Sequence, residues 1–225
     1  MKCSKLHSWE VTPKAARKIQ LRLKQRLILR KSFKEVKMIG AADVSFIKGW
    51  VYGVVAIFSF PELRLIEKAE AKARATFPYV PGLLTFREGP ILLKAFDKIL
   101  YEPDVILFDG QGIAHPLGFG EASHLGLLLD KPSIGCAKSK LCGDYAEPGK
   151  KKGDFSFIMY KGKVIGAALR TRVNTKPIFV SIGHKIDLKA AIELILKCTR
   201  TFRIPEPLRF VHTRSVEYAR KAKTA

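Results

Sequence analysis

Asp43 stands near the end of a strongly apolar run, after Met38-Ile39-Gly40-Ala41-Ala42, and Asp109 closes a second, after Val105-Ile106-Leu107-Phe108. Carboxylates are rare in such runs because burying an unpaired charge is costly. If both runs are strands, the two acids sit at strand ends, where ligands gather in α/β sheets, and they converge if the strands are neighbours. Hard cations such as Mg²⁺ take oxygen ligands and need few from the protein. A third carboxylate is available at Glu88, within Phe86-Arg87-Glu88-Gly89-Pro90. Two cations held by such groups would activate water and stabilise the leaving oxygen of a phosphodiester. Taken singly, each acid reads more simply as a turn, cap or helix-surface carboxylate. Lys138 follows another apolar run, Ser133–Ala137, where its charge would neutralise a scissile phosphate or orient the attacking water. It reads equally as one of many surface lysines.

The balance of charge narrows the substrate. Lys and Arg number 41 against 20 Asp and Glu in 225 residues, a formal net charge of +21. A domain this basic repels itself, and a polyanion relieves that repulsion. Nucleic acid fits through phosphate neutralisation and counterion release. A ribosome-associated protein or a highly charged thermophile surface would look similar. An anionic membrane fits less well, because no lipidation motif or anchor is visible. The apolar fraction of 47% suits a folded chain rather than a disordered one. The length suits one α/β domain over residues 1–225. Cys3, Cys136, Cys142 and Cys198 form no C-x-x-C pair, which argues against a structural zinc site. With no apolar leader segment and no membrane-length run, a cytoplasmic protein with reduced thiols is expected.

The elements that must position these residues follow from pattern. Thr12-Pro13 opens a helix whose apolar stripe is Ala16, Ile19, Leu23 and Leu27. Three strands are expected at about 36–46, 50–60 and 63–73, broken at Lys48-Gly49 and Pro61-Glu62. Such short connections imply antiparallel neighbours. The middle run is apolar on both faces and belongs inside the sheet. A helical stretch interrupted at Gly89-Pro90 runs to about Leu100, followed by a buried strand at Val105–Phe108. A helix at Glu121–Leu129 and a strand at Ser133–Ala137 come next. A hairpin at Phe155–Tyr160 and Val164–Arg170, a strand at Ile178–Ser181, and helices at about 188–199 and 207–221 complete the chain.

Between the third strand and the next helix lies Phe77-Pro78-Tyr79-Val80-Pro81-Gly82, which suits neither helix nor central strand. Enzymes acting on a base take it out of the stack. A loop stiffened by Pro78 and Pro81 could present Tyr79 as a wedge that stacks in the gap. The other reading is a connector whose Tyr packs on the core. The histidines separate poorly. His115 lies just past Asp109-Gly110-Gln111-Gly112 and suits a substrate contact, whereas His124, among Leu125, Leu127 and Leu128, suits the core equally well. His184 reads as a turn residue. His212 says little alone, and His7 has no informative neighbours.

These motifs together resemble the endonuclease V family over essentially the full length. The matching segments are Gly40–Phe46, Thr76–Pro90, Asp104–Pro116, Ala122–Gly126 and Ile134–Ser139, in order and at the right spacing. The resemblance implies a ribonuclease H-like α/β fold, a central mixed five-stranded sheet flanked by helices. It implies a Mg²⁺-dependent endonuclease, with Mn²⁺ as a substitute, acting on DNA containing deaminated bases. The nick falls at the second phosphodiester 3′ of hypoxanthine and leaves 3′-hydroxyl and 5′-phosphate ends. Asp43, Glu88 and Asp109 become metal-site carboxylates, and Lys138 and His212 complete the catalytic group. Tyr79, flanked by Pro78, Val80 and Pro81, matches the wedge. Gly82, Leu84, Gly110 and Gly120 fall where the family builds its base pocket, with His115 beside them. Val80 stands in place of isoleucine and Cys136 in place of valine. The Lys-rich stretch from Cys142 to Asp154 has no role in the pattern.

Two alternatives stay open at the level of sequence. One is an endoribonuclease on inosine-containing RNA, and the other a non-catalytic basic nucleic-acid-binding protein. Intact Asp43, Glu88 and Asp109 argue against the latter. A monomer is expected, with no membrane partner.

Overall fold

The computed structural model describes Met1 and residues 3–224, the last two by backbone alone. Thr12 caps helix α1 (Pro13–Lys24), its hydroxyl accepting from the Ala15 amide, and Pro13 supplies the fixed φ of the first turn. The helix buries Ala16, Gln20 and Leu23. Leu27, expected to continue the stripe, lies beyond the helix end.

Strands β1 (Met38–Ile47), β2 (Trp50–Ser59) and β3 (Leu65–Arg74) form an antiparallel meander, with β2 inside as its two-sided apolar pattern requires. β1 begins two residues later than expected. The Lys37 and Met38 amides there donate to the Asp104 carboxylate at 2.8 and 2.9 Å instead of continuing a ladder. Helix α2 (Leu84–Phe96) is not interrupted at Gly89-Pro90. It runs through Pro90 and ends well short of Leu100. Packing overrides the local cost of the proline. Gly89 lies against the Trp9 ring, where a Cβ would come within 2.8 Å.

β4 (Val105–Phe108), helix α3 (Glu121–Leu129) and β5 (Ser133–Ala137) follow, then the hairpin β6 (Phe155–Tyr160) and β7 (Lys163–Leu169), and β8 (Ile178–His184). Helices α4 (Leu188–Lys197) and α5 (Glu206–Thr224) close the fold. The sheet order is β3-β2-β1-β4-β5-β8-β7-β6. The five expected core strands are therefore contiguous, but the sheet does not stop there. β5 offers a free edge to β8, which pairs with it antiparallel, and the β6–β7 hairpin extends the sheet to eight strands. His184 ends β8 rather than sitting in a turn. Its Nδ1 accepts from the Ile28 amide.

Apolar layers cover both faces. Ile91, Leu92 and Phe96 of α2 and Leu125 of α3 pack on Ile57, Ile106 and Phe108. On the other face Ile195 of α4 and Leu208 and Val211 of α5 pack on Ile39, Leu107 and Val180. Each fully buried side chain of this size contributes about 1.5–3 kcal/mol. These layers hold the parallel trio β1, β4 and β5 rigid. Among the described residues no helix is long and apolar enough to cross a membrane.

Candidate active site

Ala42 of β1 pairs in register with Phe108 of β4, and Phe108 with Gly135 of β5. The three strands are parallel and about 4.8 Å apart. Asp43 and Asp109 each stand one residue past that paired level, so register alone places them side by side. Asp109 lies just past the carboxyl end of β4. Asp43 is not at a strand end as expected but in the middle of β1, which runs on to Ile47 because β2 continues to pair with it after β4 stops. Lys138 emerges three residues past Gly135, and its Nζ lies 2.6 Å from Asp109 Oδ2. Arg203 Nη2 donates to the Lys138 carbonyl at 3.1 Å and steadies that segment.

His212 reaches the same place from α5. Its Nδ1 lies 2.9 Å from Asp43 Oδ2, and Ser215, one turn on, approaches the same oxygen at 3.3 Å. One ligand atom from each of Asp43, Asp109 and His212 falls within 4.8 Å of the others. Oxygen-rich donors with one imidazole suit Mg²⁺ or Mn²⁺, so the residues fit a hard divalent cation.

Glu88 comes up from α2, buried to 8% relative exposure. It does not stand alone. Glu121, the first residue of α3, is buried to 5% and hydrogen-bonds the Glu88 carboxyl. Burial raises the Glu88 pKa well above the ordinary carboxylate range, and the charges of Glu121, Asp43 and Asp109 push it further. Burial likewise pushes Glu121 up to about 8, with Asp43 and Asp109 adding to it. Both carboxyls of the pair are thus pushed toward the neutral form by burial and by their proximity to Asp43 and Asp109. Asp43 is raised too, by burial first and Asp109 second, against the opposing contact from His212. Four carboxyls thus share one electrostatic basin.

Glu121 was not a sequence expectation. An acid in the first turn of a helix ordinarily faces water and complements the helix dipole. The available signal was that the remaining eight residues of α3 contain no other charged side chain and are all buried.

Beside the carboxylates opens a cleft of about 230 Å³, lined by Tyr79, Val80, Pro81, Gly82, Leu84, Gly110, His115 and Gly120. These are the expected substrate residues except Pro78. Thr85, Gln111, Glu121, Ala137, Ser139, Lys140 and Leu141 complete the lining. The cleft is smaller than the roughly 300–1,000 Å³ of drug-sized ligand sites, so it suits one small planar group.

Tyr79 is 72% exposed at the loop tip, which rules out the reading that it packs on the core. Phe77 does that instead, 5.5 Å from the Phe86 ring. The loop is tied at both ends. Arg87 Nη1 donates to the Phe77 carbonyl at 2.9 Å. Gly82, at φ +80°, presents a carbonyl that accepts from Gln20 Nε2 and from His115 Nε2, each at 2.9 Å. His115 Nδ1 accepts from the Leu117 amide, so Nε2 carries the proton. His115 therefore holds the pocket wall in addition to lining it.

His124 and His7 stand apart from the site. His124 is fully buried among Trp9, Phe86 and Phe119, its Nε2 2.7 Å from His7 Nε2, and burial drives its pKa well down. His7, which sequence could not place, pins the N-terminal segment to that core.

The family model described as Endonuclease V matches residues 21–213. Endonuclease V of Methanothrix thermoacetophila is 49% identical over 223 residues, covering 99% of each chain. The crystal structure of endonuclease V from Streptomyces avermitilis superposes with a TM-score of 0.92 at 34% identity, over 99% of this chain and all of that one. Ciona intestinalis endonuclease V, solved with a 24-mer DNA containing an inosine followed by a ribo-adenosine, superposes at 0.83 with 31% identity, over 93% and 98%. The expected ribonuclease H-like arrangement is the one these structures share with it.

Proposed function

Because the chain belongs to the endonuclease V family of nucleases, we propose that it nicks a DNA strand at the second phosphodiester 3′ of hypoxanthine, as one catalytic unit over residues 1–225. The observation that carries this reading is the apposition of Asp43 and Asp109 beside a narrow cleft topped by an exposed Tyr79. The first is a hydrolytic centre, and the second is a place for an extruded base.

In this reading Asp43, Asp109 and Glu88, with His212, hold Mg²⁺, for which Mn²⁺ substitutes. Bound there, divalent cations activate water and neutralise charge on the leaving oxygen. Water adds to phosphorus and the bond to the 3′ oxygen breaks. That oxygen takes up a proton, leaving 3′-hydroxyl and 5′-phosphate ends. Lys138, beside Asp109, is positioned to neutralise the scissile phosphate as charge develops. His212 and Ser215 fix the orientation of Asp43. The cleft accepts the flipped base, and Tyr79 fills the gap and stacks on its neighbour. Gln20 and His115 keep the Gly82 wall rigid while the base enters. The net charge of +21 holds the polyanion without reading its sequence. Four free cysteines suit the reducing cytoplasm, where we place the protein as a monomer.

The test is a duplex carrying one hypoxanthine, incubated with Mg²⁺ or with chelator, beside a matched inosine-containing RNA strand. A Mg²⁺-dependent nick in the duplex 3′ of the lesion is expected. Preferential cutting of the RNA would move the activity to inosine in RNA. Binding without turnover on either polymer would leave a non-catalytic nucleic-acid-binding protein.

A further inference from the structure

The two carboxylates on the sheet, Asp43 within β1 and Asp109 just past β4, each have a basic partner, His212 for Asp43 and Lys138 for Asp109. Glu88 and Glu121 do not. Among the described residues no Lys, Arg or His pairs with either, and both are buried. Buried acids are ordinarily paired or bound to metal, because an uncompensated charge in the interior is costly. Glu121 also has a specific location. A Cβ built on Gly110 would come within 2.6 Å of Glu121 Oε2, so this carboxyl lies against the residue following Asp109. Its contact with Glu88 places it on the inner side of the centre, and it lines the base cleft as well.

We propose that Glu121 is a fourth carboxylate of the cation centre, holding a divalent ion together with Glu88 on the side facing the base cleft. Four carboxylates balance the four charges of two divalent cations, whereas Asp43, Asp109 and Glu88 alone leave one positive charge in excess beside Lys138. An oxygen shared between the ion and the cleft wall also links occupancy of the base site to the position of the inner ion. This inference rests on the reading that Asp43, Glu88 and Asp109 hold metal.

The experiment is calorimetric titration of the full chain with Mn²⁺, and separately Mg²⁺, without DNA, for wild type, Glu121→Gln, Glu121→Leu and Glu121→Asp. Thermal melting is followed with and without the ion. Glu121→Gln keeps the size and the hydrogen-bonding capacity, so it separates folding from binding. Two Mn²⁺ per wild-type chain are expected. Glu121→Gln and Glu121→Leu should weaken one of them by about tenfold or more and shrink the Mg²⁺-induced rise in Tm, with Glu121→Asp in between. Unchanged stoichiometry, affinity and Tm response in a folded Glu121→Gln would overturn the proposal. So would lost discrimination between hypoxanthine and adenine at unchanged metal affinity, which would make Glu121 a reader of the base. Because metal binding is measured without substrate, weakened binding in Glu121→Gln stands even if no lesion is cut. Normal lesion cleavage with unaltered metal binding sinks only this inference.

Discussion

His212 Nδ1 lies 2.9 Å from Asp43 Oδ2, a contact between residues 169 positions apart. It joins the last helix to the middle of the first strand, so the site is complete only when α5 has docked. Ser215, one turn further along, reaches the same oxygen and also meets Ser45. The roles assigned to these groups lead to distinct measurable outcomes.

Asp43→Ala should abolish cutting while sparing binding to the lesion duplex. The loss of a metal-site carboxylate is worth several kcal/mol of transition-state stabilisation, about 10³-fold in rate. Single-turnover cleavage beside a gel-shift assay in chelator checks both halves. Parallel loss of binding and cutting would indicate a folding role instead.

Lys138→Ala should lower the single-turnover rate by about 10²–10³-fold, the effect of removing one preorganised charge stabiliser. Lys138→Arg should recover little of it, because a planar guanidinium does not reproduce a point charge 2.6 Å from Asp109. Full activity in Lys138→Ala would return the residue to the ordinary surface lysines.

Tyr79→Ala should weaken cleavage of a hypoxanthine duplex by about 10–100-fold, the worth of one base-stacking contact of ~1–3 kcal/mol. A single strand with the same lesion should be cut nearly as well as by wild type, since no duplex stack has to be opened. Stability should move by no more than about 0.5 kcal/mol, because the ring is exposed. Equal losses on both substrates would argue against a wedge.

The buried carboxyl pair makes the metal-free protein sensitive to pH. Glu121 is raised from 4.5 to about 8 in the folded state, and Glu88 is raised in the same direction. A raised folded pKa gives stability that is fully present below about pH 4.5 and is lost as pH rises toward about 8. His7, His115, His124 and His184 act oppositely: their lowered pKa values give stability present above pH 6.5 and lost as pH falls below it. Glu121→Gln keeps the histidines and removes one member of the carboxyl pair, so the Tm difference from wild type isolates the pair. In chelator, wild type should lose Tm relative to Glu121→Gln between pH 5 and 8. Saturating Mg²⁺ should flatten that difference. A wild type that gains on the variant over this window in chelator would contradict the shared basin of charge.

Gly82→Ala should cost about 1–2 kcal/mol in urea unfolding, because an L side chain at φ +80° is strained. The new methyl would also come within 3.2 Å of His115 Nε2. A rise in KM for the lesion duplex with little change in kcat is expected, reporting a displaced cleft wall.

Much of this architecture was legible in local pattern. The runs before Asp43 and Asp109 read as strands because each is almost wholly apolar, and both are buried strands. Glu121–Leu129 and Ser133–Ala137 match the expected elements residue for residue. The expected break at Gly89-Pro90 failed because a proline's local penalty says nothing about the Trp9 packing that holds the helix through it. The three outer strands were foreseen as strands, but their membership of the same sheet depended on which edge remained free.

The sequence by itself therefore determined the chemistry-bearing acids that follow the apolar runs of β1 and β4, the rigid loop that presents Tyr79, and a charge suited to nucleic acid. All of these are written in neighbouring residues and composition. Only the tertiary structure decided that Glu121 shares a buried basin with Glu88, that His115 braces Gly82, and that His212 meets Asp43. The reason is physical: burial and pairing of a charge depend on what docks against it. A helix-opening glutamate or a helical histidine has the same local sequence signature whether it ends in water or against another carboxyl.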